Sequence, residues 1–305
     1  MANNTKEIKR RIKSIKNIGQ ITKAMELVSA AKMRKAQMAA TASRPYSTLS
    51  SQLLKNLIAK TDLTNHPLIN RVMPDGQKEP AQKILIVLVT SDRGLAGAFN
   101  SNVISKALAM IKNEEFSAGG ARLPGRQGSA FGGDFITVGK KGADAVRRLG
   151  HNVVATFPMK DKVSIFDAQP IAQIASQDFL AWKYEKVFII YTDFVSTLVQ
   201  KPNILQLLPL VEQGDRDAQD DFLFEPNADE VLETLVTRTI EFAVYQTLVE
   251  AAASEHSARM VAMRNANEAA GDLIDDLSLT YNQARQASIT RELSEISAAK
   301  LAMEG

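Results

Sequence analysis

Ile8, Ile12 and Ile15 are spaced by four and three residues. Ile18, Ile21, Met25 and Val28 continue with three, four and three. Apolar positions recurring this way share one face of an α-helix. The pattern predicts a helix from residue 3 to about 60, with alanine-rich ELVSAAKMRKAQMAATA in its middle and SSQLLKNLIA at its end. Gly19 and Pro45 are its only interruptions, and Pro45 is expected to bend or break it.

From about residue 82 the pattern changes. KILIVLV (83–89) is the most apolar run in the chain and reads as a strand buried on both faces. DFITVG (134–139), NVVATF (152–157) and EKVFIIYTDF (185–194) read as three more strands. LQLLPL and DFLFEP are candidates for edge strands. KKGADAVRRLG and AQPIAQIASQDFLAW (168–182) are helical between them. Strands alternating with helices predict a mostly parallel sheet with crossover helices, a Rossmann-like α/β domain. The glycine-rich segment 117–133 reads as a flexible insertion before the second strand.

From Asn227 to the end there is no proline and one glycine, Gly271. A continuous helix over this stretch measures roughly 110 Å at 1.5 Å per residue. No globular domain buries such a helix, so a coiled coil is expected. Leu273, Leu277, Tyr281 and Ala284 give it a four-four-three seam. Elsewhere alanine and serine replace large apolar residues, and small residues bring helices close while burying little area. The expected boundaries are 1–60, 61–225 and 226–305.

Charge separates the two ends. Residues 1–40 hold ten Lys/Arg and two acidic residues, whereas residues from 226 onward hold six Lys/Arg and thirteen Asp/Glu. The net charge of +3 conceals this polarity. Two long helices of opposite charge, separated by an α/β domain, are expected to pair antiparallel. A plain structural coiled coil fits the same pattern.

Composition narrows the chemistry. With no cysteine and only His66, His151 and His256, a thiolate or histidine-built metal site is not expected. No apolar run approaches the roughly 20 residues that span a bilayer, so direct membrane insertion is not expected. The basic amphipathic N-terminus lacks a secretory pattern and continues into the helical stripe, which favours a bacterial protein over an organellar one.

TSDRGLAGAFN (90–100) follows the first strand where many phosphate loops begin. It has neither GxxxxGK[ST] nor GxGxxG, since its glycines are Gly94 and Gly97 alone. Asp92 has no acidic or histidine neighbour to complete a metal site. The expectation is a strand-to-helix turn that binds no cofactor. A nucleotide enzyme is the rival reading. A nucleic-acid-binding coiled coil built on KRRIKSIK is another, although the run lacks interleaved aromatics.

KEIKRRIKSIKNIGQITKAMELVSAAKMRKAQ, SDRGLAGAFN and EHSARMVAMRNANEAAGDLIDDLSLTYNQARQASITRELSEI, in this order, resemble the gamma subunit of F-type ATP synthases over essentially the whole chain. The departures are Gly19 and the segments 62–80 and 117–133. The resemblance implies a rotor shaft without catalytic residues. Its coiled coil sits in a ring of alpha and beta subunits, and its α/β domain binds the epsilon subunit and the membrane c-ring. An inhibitory subunit is a further possible partner, and nucleic acid is not one. Proton flow turns the shaft, and the shaft drives the beta subunits through their nucleotide affinities. The implied location is the cytoplasmic face of a bacterial inner membrane, or the matrix side in a mitochondrion.

The resemblance also implies where the shaft meets the beta subunits: Lys23, Met25, Lys32, Arg34 and Lys35 near the N-terminus, and Arg259, Arg285, Gln286, Thr290 and Glu292 near the C-terminus. Exposed ion pairs are worth about 0 to 1 kcal/mol, which suits contacts broken at every step. Without the resemblance, the same residues read as a solvated helix surface, and Met25 as packing.

Overall fold

The computed structural model describes residues 2–60, 66–69, 83–112, 133–210 and 228–304. It comprises two compact units, Ala30–Ala258 and Met1–Ser29 with Arg259–Gly305. Helices α1 (Ala2–Lys60) and α5 (Ala228–Glu304) contribute to both. Between them lie β1 (Ile84–Val89), α2 (Phe99–Lys112), β2 (Asp134–Val138), α3 (Lys140–Arg148), β3 (Asn152–Phe157), α4 (Ile165–Leu180), β4 (Lys186–Phe194) and β5 (Gln200–Leu208). The glycine-rich segment before Gly133 and the DFLFEP segment lie outside the described residues, as does 62–80 apart from residues 66–69.

The five strands form one sheet in the order β3-β2-β1-β4-β5. The first four are mutually parallel, and β5 runs antiparallel to β4. Connection length explains the difference. Residues 195–199 are too few for a crossover, so β5 folds back beside β4, while the other strands are joined through helices. The sheet is the mostly parallel one that alternating elements predict. β5 begins earlier than its apolar part LQLLPL suggests. Its first residues, QKPN, alternate between half-buried and exposed, and Pro202 is tolerated because β5 is an edge strand.

Alternation along β1 sends its side chains to two cores. Leu85, Val87 and Val89 pack with Ile171, Ala175 and Phe179 of α4 and with the α5 stripe Leu232, Val236, Ile240, Val244 and Leu248. Ile84, Ile86 and Leu88 pack on the other face with Val103, Ala107 and Met110 of α2 and Val146 of α3. Helix α4 starts at Ile165, ahead of its apolar pattern, because the Ser164 N–H donates to Asp167 Oδ2 at 2.9 Å. That contact is one half of a capping box.

The β1 exit is held by a polar knot. Thr90 Oγ1 donates to the Val138 carbonyl at 2.9 Å and accepts the Gly142 N–H at 2.9 Å. Gly139 has φ 90°, and a Cβ there would strike the Thr90 carbonyl; a Cβ on Gly142 would fall 2.6 Å from Thr90 Oγ1. Only glycine fits either position.

Within the larger unit, α1 and α5 run antiparallel. Ala36 meets Ala252 and Ala253, Ser43 Oγ donates to Gln246 Oε1 at 2.5 Å, and the rings of Tyr46 and Phe242 lie 4.4 Å apart. Rising positions on α1 thus match falling positions on α5. Pro45 stays inside α1. It forfeits one helix hydrogen bond, and the contacts of Ser43 and Tyr46 hold the turns on either side of it.

Gln246 Nε2 donates in turn to Glu250 Oε1 at 2.7 Å, and the Tyr191 hydroxyl also bonds to Glu250. Burial pushes the Glu250 carboxyl above its ordinary range, and nearby Asp193 adds to this against the Gln246 bond and Arg44. A carboxyl raised in the folded state binds its proton more tightly there than in the unfolded chain. Its contribution to stability therefore falls as pH rises from the unfolded value through the folded one. Glu250→Gln keeps an acceptor for Gln246 and removes the titration. The variant is expected to have a higher urea midpoint than the parent at pH 7, and the gain should shrink as pH falls below the ordinary carboxylate range. A gain that is constant with pH, or a loss at pH 7, would contradict this reading of Glu250.

Candidate functional site: the paired terminal helices

In the smaller unit, the inward face of α1 begins with Ile8, Ile12 and Ile15, as the isoleucine spacing predicts. It then continues through Gly19, Thr22 and Ser29. Ile18, Ile21 and Val28, the expected continuation, are 51%, 60% and 54% exposed. The seam therefore runs one position beyond the apolar stripe. At Gly19, α5 is in ordinary contact: a Cβ there would lie 3.6 Å from Asn267 Oδ1 and 3.7 Å from Ala270 Cβ. Thr22 Oγ1 donates to the Gly19 carbonyl at 3.0 Å and Ser29 Oγ to the Met25 carbonyl at 2.7 Å. Hydroxyls satisfied within their own helix can face a seam without leaving a polar group unpaired.

On α5 the inward positions are Met263, Ala270, Ile274, Leu277, Tyr281 and Ala284. Leu277, Tyr281 and Ala284 match the expected seam, whereas Ile274 replaces Leu273, which is 51% exposed. Residues 289–300 are all exposed, including Ile289, Leu293 and Ile296. Beside Gly19 the helices leave a groove of about 590 Å³ lined by Lys23, Leu27, Gly271 and Ile274.

The residues implied by the family resemblance fall into three environments. Lys23, Arg34, Lys35, Arg285, Gln286, Thr290 and Glu292 are exposed. Lys23 Nζ is 3.0 Å from Glu26, Thr290 Oγ1 donates to the Gln286 carbonyl at 3.0 Å, and Ser288 Oγ donates to Glu292 Oε1 at 3.3 Å. Met25 is half-buried, and Arg259 is buried. Lys32, in the larger unit, donates from Nζ to Asp161 Oδ2 at 2.6 Å. The other Asp161 oxygen is 3.8 Å from Nε2 of buried His256. The Lys32 hydrogen bond holds the Asp161 carboxyl below its ordinary range. Sequence reasoning missed Asp161 and His256. They lie far from Lys32 in the chain, and no spacing rule links them.

The TSDRGLAGAFN loop is occupied with its own fold. Ser91 N–H donates to Asn100 Oδ1 at 3.0 Å, Ser91 Oγ to the Arg93 carbonyl at 2.6 Å, and Asp92 Oδ1 accepts the Lys140 N–H at 3.0 Å. Gly97 takes a positive φ, and so does Leu95, whereas Gly94 does not. Its polar groups tie β1 to the starts of α2 and α3.

Comparison with known proteins agrees with this architecture. A family model described as ATP synthase matches residues 4–303. An ATP synthase gamma chain from Pelotomaculum thermopropionicum is 41% identical over 302 residues, covering 98% of this chain and 99% of the relative. One from Chloroflexus aurantiacus is 40% identical and covers 98% of each. Among solved structures, a chain of the Euglena gracilis mitochondrial ATP synthase (OSCP/F1/c-ring) is similar at TM-score 0.64 and 20% identity, covering 99% of this chain and 95% of that one. A chain of the Tetrahymena thermophila mitochondrial ATP synthase central stalk and c-ring is similar at TM-score 0.56 and 23% identity, covering 81% and 99%. With a family model and relatives near 40% identity matching almost end to end, and the expected helix pair flanking the expected sheet, the chain belongs to the gamma-chain family of ATP synthases.

Proposed function

We propose that the chain is the rotor shaft of an F-type ATP synthase. It couples rotation of a proton-driven c-ring to conformational change in catalytic beta subunits, for ATP synthesis and, in reverse, for hydrolysis. The observation that carries this reading is the surface of the smaller unit. Ile18, Ile21, Leu27, Leu279, Leu293 and Ile296 are each at least half exposed on a helix pair whose seam gives several inward positions, Gly19, Thr22, Ser29, Ala270 and Ala284, to small residues. Such a pair buries too little area to account for its apolar content. A surrounding ring of subunits provides the missing cover while leaving the shaft free to turn.

The partners in this reading are the alpha and beta subunits around the helices, with the epsilon subunit and c-ring against the α/β part. The chain supplies no catalytic group; bond making and breaking belong to the beta subunits. Near-full-length similarity to bacterial gamma chains supports a location on the cytoplasmic face of a bacterial inner membrane. Among the described residues no helix is long and apolar enough to cross a membrane, so attachment there runs through partners.

Arg285, Gln286, Thr290 and Glu292 present their polar heads outward, which supports contact with the ring. Arg285 offers several donors in a fixed plane, and Gln286 both a donor and an acceptor, so contacts with them depend on rotor angle. Lys23 in the smaller unit, and Arg34 and Lys35 in the larger one, are each exposed cations suited to weak, breakable contacts with acidic beta segments. Met25 is half-buried and Arg259 buried in the smaller unit, while Lys32 of the larger unit binds Asp161.

Truncation after Gln286 is expected to leave the thermal unfolding of the α/β part within about 1 °C of the parent, since residues 289–300 are all exposed. It is expected to lower ATP-driven proton pumping by reconstituted enzyme. A large drop in the unfolding midpoint with intact pumping would argue against the assignment. A cysteine introduced at Arg285, in a chain that has none, is expected to stop ATP hydrolysis when crosslinked to a beta subunit and to restore it on reduction. Full turnover by the crosslinked complex would contradict a rotating shaft.

A further inference from the structure

We propose that residues 250–257 of α5 form a keyed joint, through which turning force passes between the α/β layers and this helix. The inference rests on the rotor reading above and assigns the load-bearing contacts within the larger unit.

Two features single out this stretch. Between Leu232 and Val244, α5 buries one stripe with a spacing of four; from Thr247 to Ser257 every residue is buried. The same stretch carries directional polar contacts on more than one side. An α-helix advances about 100° per residue. Taking Glu250 as origin, Ala251 lies about 100° one way and packs into the sheet core, while His256 lies about 120° the other way and meets Asp161. Glu250 itself faces Gln246 and Tyr191 of β4. Ser257 lies within about 20° of Glu250. It donates from Oγ to the Thr197 carbonyl at 2.7 Å and accepts from Gln200 Nε2 at 3.3 Å, which ties the β4–β5 turn to the helix. Contacts therefore reach α5 from three sides.

The physics separates these contacts by task. Apolar packing is non-directional, so the Leu232–Val244 stripe holds the helix against the sheet but resists rotation about its axis weakly. Hydrogen bonds weaken steeply with angle, and those of buried Glu250 and Ser257 are stronger than exposed ones; Asp161 is 60% exposed and acts on His256 through its charge at 3.8 Å. Placed off the axis on different sides, they resist twist in both directions. Asp161 is the member that joins most parts. It sits after β3, binds Lys32 of α1 with one oxygen and faces His256 of α5 with the other, so it couples both helices to the sheet. In this account Lys32 is a positioning residue inside the rotor.

The test uses complete enzyme reconstituted in vesicles and single complexes carrying a probe on the rotor. Asp161→Asn is expected to hydrolyse ATP at the parent rate without a proton gradient. The largest gradient it can build should fall at least two-fold, and the angular fluctuation of the stalled rotor should increase. Asp161→Glu is expected to restore both. Asp161→Asn with unchanged gradient and unchanged fluctuation would overturn the proposal. If Asp161→Asn does not assemble, Ser257→Ala reads the same fluctuation: an increase supports the joint, and no change overturns it. A parent enzyme that hydrolyses ATP while its probe stays still would instead overturn the rotor reading on which this inference rests.

Discussion

Gly19 lies on the inward face of α1, and α5 packs against it, with Asn267 and Ala270 at ordinary contact distance from where a Cβ would stand. The seam passes through this small residue and continues through further small ones on α1. Thr22 and Ser29 then occupy the seam with their hydroxyls bonded to their own helix, and the neighbouring aliphatic residues are turned outward. A seam of this kind sets a helix pair at short range but removes little apolar surface from water. Large aliphatic residues of the smaller unit, Ile18, Ile21, Leu27, Leu279, Leu293 and Ile296, stand outside its seam and are at least half exposed. The rotor reading supplies their cover.

The larger unit is built on different physics. Its central strands β1, β2 and β4 are buried on both faces, and helices cover them on each side. Polar residues there have structural tasks: the Thr90 knot locks β1 to α3, and Glu250, Asp161 and Ser257 tie α5 to elements on its several sides. A loop that begins like a phosphate site spends its donors and acceptors on the same purpose.

Much of this was legible in the sequence because periodicity records burial. KILIVLV announced a central strand, and alternating strands and helices announced a mostly parallel sheet. Opposite charge on the two terminal helices announced their pairing. The seam departs from the apolar stripe at Ile18, Ile21 and Val28, where the small residues Gly19, Thr22 and Ser29 face inward instead, while Met25 of the stripe stays half-buried. β5 was read short, since an edge strand buries only half its residues and QKPN carries no apolar signal. At the candidate site, the exposed polar residues near 285–292 were read from family resemblance, and pattern alone does not distinguish them from any helix surface. Asp161 and His256 had no signal at all, since their meeting with Lys32 depends on three elements distant in sequence.

The central claim is that the chain turns while its partners hold still. The direct measurement fixes an alpha and beta subunit ring to a surface and places a fluorescent or magnetic probe on a single cysteine introduced in the α/β part of this chain, which has no other. The account predicts continuous rotation in one direction on addition of ATP, stopping when ATP is removed. ATP hydrolysis at full rate by complexes whose probe keeps a fixed orientation would contradict it.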